Sequence, residues 1–361
     1  MRASKVAQRG GEANRDGAKR LLQLEIHLET IWPERRRPES PLRRAGSIGW
    51  PVGTTRGSTR IVTGLVQRLR SLLGGDASQA AWEQLRFAIG ALEARAARAA
   101  PSMAEAEFRC YSQFGEDGII QWLVARVEIQ SQTFIEFGVG DYREANTRFL
   151  LEHDNWRGLI LDSGSAHVAY LGGSDLRWRN SIDARTAFIT PENINALLAD
   201  MAGDVGLLSI DIDGNDYWVW QALTVAQPRI VVIEYNSLFG HQRAVTIPYE
   251  PDFDRFRAHP SGLYMGASIA ALHLLAGIKG YRLVGSNSAG NNAFFVREDV
   301  AGGLPALTAE EGWRQSRFRE SRDDRGRMTY VGSHADRRAL IATMPLLDVH
   351  TEELPTVGDL P

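Results

Sequence analysis

From residue 133 to residue 234 the chain alternates short apolar runs with helical stretches, and few folds accept that pattern. "TFIEF" (133–137), "GLILD" (158–162), "AFIT" (187–190), "GLLSID" (206–211) and "RIVVIE" (229–234) read as strands. Helical spacing lies between several of them, over about 144–153, 191–202 and 215–226. Apolar strands separated by helices imply a parallel sheet covered on both faces. The order then changes: a helix at about 267–279 leads to "YRLVGS" (281–286), a short loop and "AFFVR" (293–297). Two strands joined so tightly must run antiparallel. The expected class is α/β, with a mostly parallel sheet that ends in an antiparallel pair.

In an open parallel sheet, ligands sit beyond the carboxyl ends of the strands. The residues that close each strand therefore carry the functional reading. Glu136-Phe-Gly138-Val-Gly140-Asp141 follows the first strand. Glycines there let the backbone approach a ligand and aim a helix N-terminus at it. A dinucleotide fingerprint, G-x-G-x-x-G, would need a small residue at position 143, where Arg143 stands, and this counts against a nicotinamide cofactor. Asp162 closes the second strand, where an acid can accept both hydroxyls of a ribose; capping the next helix is its ordinary alternative. Asp183, in "NSIDAR", lies beside the third strand, in reach of an adenine amino group.

The fourth strand ends in the densest group, Ser209-Ile-Asp211-Ile-Asp213-Gly-Asn-Asp216. Three carboxylates so close repel one another unless cations or hydrogen bonds compensate. One of them can act as general base toward a hydroxyl, typically worth ~10²–10⁴ in rate. Alternatively the group binds a hard divalent ion such as Mg2+, whose Lewis acidity activates the hydroxyl. Plain Asp/Asn/Gly turn chemistry is the structural alternative. Glu234 closes the fifth strand, where an unpaired carboxylate is costly. His241 is a second base candidate by its ordinary pKa, whereas His273 sits at apolar helix spacing and reads as structural. Neither a P-loop lysine motif nor a G-x-S-x-G elbow occurs. A ribose acid, a degenerate glycine turn and a closing antiparallel pair together point to S-adenosylmethionine.

Residues 111–300 resemble the FkbM-type class I methyltransferases. The resemblance is carried by "YSQFGEDGIIQWLV", "FIEFGVGDYREANTRFLL", "WRGLILD", "SIDIDGNDYWVW", "PRIVVIEYN", "YMGASIAAL" and "KGYRLVGSN…NNAFFV", in that order. It implies a Rossmann-like seven-strand, mostly parallel sheet with a reversed final strand. It implies methyl transfer from S-adenosylmethionine, often to sugar or polyketide hydroxyls. By position, Glu136, Gly138 and Gly140 match the first cofactor motif, Asp162 the ribose acid, and Asp211 the fourth-strand aspartate near the methyl group. Asp213-Gly214 stands in place of a frequent Glu-Gly pair, and Gln113 is placed to close over the cofactor. Tyr142 departs from the pattern, since many such enzymes have a third glycine there. The "DGNDY" stretch is also similar to metal-assisted sugar O-methyltransferases, whose aspartates at this strand end bind magnesium.

Charge divides the chain. Residues 1–100 carry 18 Lys+Arg against 9 Asp+Glu, while the remaining residues carry 23 against 35. Residues 1–57 read as an Arg-rich disordered tail, or as a stretch ahead of the true start. Residues 58–104 form a helical segment, since Ile61, Leu65, Leu69 and Leu72 recur at helical spacing and a second helix runs from about 78 to 100. Such a basic amphipathic helix can lie on a membrane surface, but packing on a neighbouring domain is the expected role. The catalytic domain spans 105–300, and 301–361 is a helical, charged extension without a core of its own. A single cysteine, Cys110, excludes an intrachain disulfide. No apolar run reaches the ~18 residues of a membrane span, so a cytoplasmic protein is expected. No specific nucleic-acid partner is indicated. The leading expectation is O-methylation of a sugar hydroxyl on a glycan or glycosylated metabolite. The alternative is a non-catalytic Rossmann-like binding or scaffold module of a glycan-assembly system. The acceptor pocket is expected from loops 236–266 and from the C-terminal extension.

Overall fold

The computed structural model describes residues 77–317 and 319–361. The chain divides into two compact units, residues 1–85 and 86–361. Of the first, the described part is the beginning of helix α1 (Ala77–Ala99), close to the helix expected there. The tail 1–57 and the helix expected from Thr59 lie outside the described residues.

The second unit holds a seven-stranded sheet. In chain order it comprises helix α2 (Glu116–Val124), strand β1 (Thr133–Phe137), helix α3 (Arg148–His153), strand β2 (Arg157–Asp162), helix α4 (Ser165–Gly172) and strand β3 (Ile182–Thr186). Strand β4 (Gly203–Ile210), helix α5 (Asp216–Ala222), strand β5 (Ala226–Glu234) and the short β6 (Val245–Thr246) follow. Helix α6 (Ile269–Lys279) then leads to β7 (Tyr281–Ser286) and β8 (Asn292–Arg297), and the chain ends through helix α7 (His334–Leu340) and β9 (Leu347–Asp348).

The strand order is β3-β2-β1-β4-β5-β8-β7. Strands β1 to β5 pair in parallel, and β8 runs antiparallel to both β5 and β7. This is a Rossmann-like α/β sheet with a reversed final strand, as expected. The order reverses between β1 and β4, so a crevice opens beyond their carboxyl ends.

Alternation along each strand divides the core. Ile135, Phe137, Leu159 and Leu161 face one side and pack with Trp220 of α5 and Leu272 and Leu275 of α6. Phe134, Ile160, Leu207 and Val232 face the other, with Ile119 and Leu123 of α2 and Leu150 of α3. The run "TFIEF" is buried throughout, which explains its lack of a polar period. Helix α6 is capped at both ends. Ser268 accepts the Ala271 N–H at the start, and Gly280 ends it with φ 78°.

Several elements differ from expectation. The helix expected over 191–202 is reduced to Ile194–Leu197 and a 3-10 turn, Ala199–Met201. The third strand is "IDART", not "AFIT": β3 pairs with β2 from Gly158↔Ile182 to Asp162↔Thr186. As the sheet's edge it is only half-buried and tolerates polar residues, while Ala187–Thr190 continue as a loop past the end of β2. The helix expected over 144–153 starts only at Arg148, because residues 138–147 form a turn. Residues 301–361 contain less helix than expected, namely Ala309–Gly312 and α7. They are held instead by β9 pairing with β6 and by Ile341, Leu346, Val357 and Leu360, which bury with Leu238, Phe239, Val245 and Tyr264. No helix among the described residues is long and apolar enough to cross a membrane.

Candidate active site

The turn after β1 is built from left-handed backbone at alternate residues: Gly138 (φ 72°), Gly140 (φ 53°) and Tyr142 (φ 61°). Gly138 is required sterically, since a Cβ there would lie 1.6 Å from the Asp211 carbonyl oxygen. Gly140 is different: a Cβ would meet nothing within 4 Å and would project into open space. Tyr142 holds a glycine-like conformation with a fully buried ring, anchored by a 2.8 Å hydrogen bond between its hydroxyl and that of Thr147. The position of the missing third glycine thus keeps its backbone shape.

Glu136 holds this turn from beneath. Its carboxylate accepts the backbone N–H groups of Asn146 (2.8 Å) and Thr147 (3.1 Å) and the Thr147 hydroxyl. Burial pushes its carboxyl up to about 7 despite those donors. Asp162, at the end of β2, accepts Gly140 N–H at 2.8 Å and Gly164 N–H at 2.7 Å, with His167 Nδ1 at 3.3 Å. The ends of β1 and β2 are thereby tied through one carboxylate. Gly138, Gly140, Asp162 and His167 line a cavity of about 450 Å³, together with Gln113, Phe114 and Phe188. A second hollow of about 420 Å³ shares Gln113, Gly138, Gly140 and Asp211 with it and adds Glu136 and Asn292.

The other end of the cavity is acidic. Strand β4 stops at Ile210, and Asp213 turns the chain with φ 56°. Asp216 folds back as a brace, accepting Ile212 N–H and Gly214 N–H at 2.9 Å each, and burial raises it to about 6. Asp211 and Asp213 are left facing Glu234 of β5, and oxygens of the three lie within 4.8 Å of one another. Burial raises Asp211 and Glu234 well above the usual carboxylate range, and mutual repulsion adds to it. Arg255, from a one-turn helix (Arg255–Ala258) capped by Asp254, donates to Asp213 Oδ1 at 2.7 Å and to Glu320 Oε2 at 3.4 Å. Three oxygen donors of this kind suit a hard divalent ion, and Asp211, Asp213 and Glu234 are the residues that would hold it.

The expected residues separate accordingly. Gln113, Gly138, Gly140, Asp162, Asp211 and Asp213 meet around the cavity. Glu136 borders the second hollow but spends both oxygens on the turn. Asp183 lies elsewhere: it sits opposite Leu159 in the middle of β2 and pairs with Arg185, facing a hollow formed by Thr133, Arg157 and Ser181. That is the wrong end of the strand for a base. Phe188, in the loop past β3, lines the cavity and Asp183 does not. His241 is carried off by the 3-10 turn Ser237–Phe239 and packs 5.4 Å from the Trp313 ring, outside the residues lining the cavity. Residue-by-residue reading of strand ends missed Arg255 and Glu320. Their segments were expected to build the pocket, but no periodic signal singles out those two positions.

No protein-family model matches the chain, and no curated protein matches it. Among solved structures, it is similar to the N-terminal domain of EvdMO1, determined with SAH and D-fucose: 10% identity, TM-score 0.31, over 46% of this chain and 75% of that one. It is similar to the CurJ carbon methyltransferase at 11% identity and TM-score 0.35, over 67% and 70% of the two chains. It is also similar to an O-methyltransferase from Bacillus cereus in complex with SAH, at 11% identity and TM-score 0.28, over 68% and 91%. The fold assignment rests on strand order and register.

Proposed function

We propose that this chain is an S-adenosylmethionine-dependent methyltransferase of the FkbM kind, working in the cytoplasm on a hydroxyl of a glycan or glycosylated metabolite. One observation carries the reading: a single cavity runs from a glycine turn and a ribose-type acid at β1 and β2 to a carboxylate cluster at β4 and β5. Gly140 leaves room for a ligand against the backbone, and Asp162 has acceptor capacity beyond its two backbone donors. The sulfonium of S-adenosylmethionine supplies a methyl group already activated for transfer. The chain's task is then to align the acceptor, worth several kcal/mol and up to ~7–11 in favourable systems, and to take its proton. Asp211, adjoining both the turn and the cluster, is placed to receive that proton. Burial raises Asp213 above its ordinary value, and Arg255 offsets part of that rise and fixes the cluster's outer edge. If a divalent ion is used, Asp211, Asp213 and Glu234 hold it, and it would supply Lewis acidity toward the hydroxyl. Calorimetry of the full chain with SAH tests the reading. Binding in the micromolar range is expected; absence of heat and of any stabilisation would overturn it.

A further inference from the structure

The charge at the acceptor end of the cavity is unbalanced. Asp211, Asp213, Glu234 and Glu320 line it, against Arg255 as the one cationic side chain at that end among the described residues. Arg255 is already committed to Asp213 and Glu320. Glu234 is a separate observation. It comes from β5 rather than from the β4 turn, is 8% exposed and lines the cavity, and it feels the Arg255 charge without a salt bridge to it being among those of the described residues. A buried carboxyl of this kind avoids the cost of its charge by holding a proton, and a cation entering the cavity would let it ionise.

We propose that the acceptor carries a protonated amine seated among Asp211, Asp213 and Glu234, beside the hydroxyl that reacts. The acceptor class is thus an amino alcohol such as an amino sugar. This rests on the methyltransferase reading above. An ammonium donates three N–H bonds of ~2.8 Å in tetrahedral directions, which places its acceptors about 4.5 Å apart. The three carboxylate oxygens lie within 4.8 Å of one another. Mg2+ demands oxygens at ~2.0–2.1 Å in octahedral geometry, with the Arg255 guanidinium 2.7 Å from one of its ligands. Repulsion from that guanidinium is half as large for a single positive charge as for a double one. The same surplus repels phosphate- or carboxylate-bearing acceptors.

The test uses the full chain saturated with SAH and titrated calorimetrically at pH 7. Glucosamine is compared with N-acetylglucosamine and glucose, and Mg2+ alone forms a separate arm. Glucosamine is expected to bind at least tenfold tighter than either neutral sugar. Glu234→Gln is expected to abolish the preference, and Asp213→Asn, at an exposed side chain, gives the same readout should the first variant fold poorly. Equal affinities, no binding of glucosamine, or saturation by Mg2+ without an amine preference would overturn the proposal. Failure of SAH to bind in the first step would instead remove the methyltransferase reading, before any sugar is added.

Discussion

Gly138 and Gly140 are two residues apart and share a left-handed backbone, yet they answer to different constraints. Gly138→Ala drives a methyl into the Asp211 carbonyl, and a loss of at least ~3 kcal/mol in folding stability is expected. Gly140→Ala meets no protein atom and costs only the ~1–2 kcal/mol of a left-handed alanine. That variant is expected to stay folded while losing SAH affinity, with thermal melting and calorimetry separating the two effects. Asp162→Ala removes a charged acceptor, where each such hydrogen bond is worth ~1.5–3 kcal/mol. SAH affinity is expected to fall about 10- to 100-fold, and unchanged affinity would remove the ribose assignment. At this scale Gly138, Gly140, Asp162 and Asp211 were legible because strand ends in a parallel sheet converge on one crevice. His241 was not, because a position five residues past Asn236 says nothing about direction: a tight turn sends it to Trp313.

Among the elements, β3 shows where pattern reading misleads. Apolarity marks a strand buried on both faces, and an edge strand lacks that burial, so "AFIT" looked more strand-like than "IDART". Helix α3 is shortened for another reason. Its expected first turn is used by backbone N–H groups that donate to Glu136, a tertiary contact invisible to local propensity. The C-terminal segment is an element-level dependency of the same kind. Ending the chain after Val331 would delete α7 and β9 and uncover Leu238, Phe239, Val245 and Tyr264. Each such side chain is worth ~1.5–3 kcal/mol when buried. The truncated chain is expected to be insoluble or to melt at much lower temperature, and a full-length-like melting curve would contradict the packing described here.

For the molecule as a whole, the buried acids set a pH dependence of stability. Glu136 rises from its ordinary 4.5 to about 7 on folding, and Asp117 and Asp216 to about 6. A folded state that holds protons more tightly than the unfolded chain loses stability as pH rises. The Glu136 contribution is fully present below about pH 4.5 and is gone above about 7. At ~1.36 kcal/mol per pH unit it amounts to at most about 3 kcal/mol. Glu136→Gln is expected to flatten the wild-type decline between pH 4.5 and 7 in denaturant titrations, and an unchanged slope would show that Glu136 is ionised throughout. The Gly138 α-carbon rests against the Asp211 carbonyl, so the turn after β1 and the carboxylate cluster after β4 share a direct backbone contact. Should occupancy of one end alter affinity at the other, linkage requires the two ligands to change each other's dissociation constants by the same factor, whichever enters first.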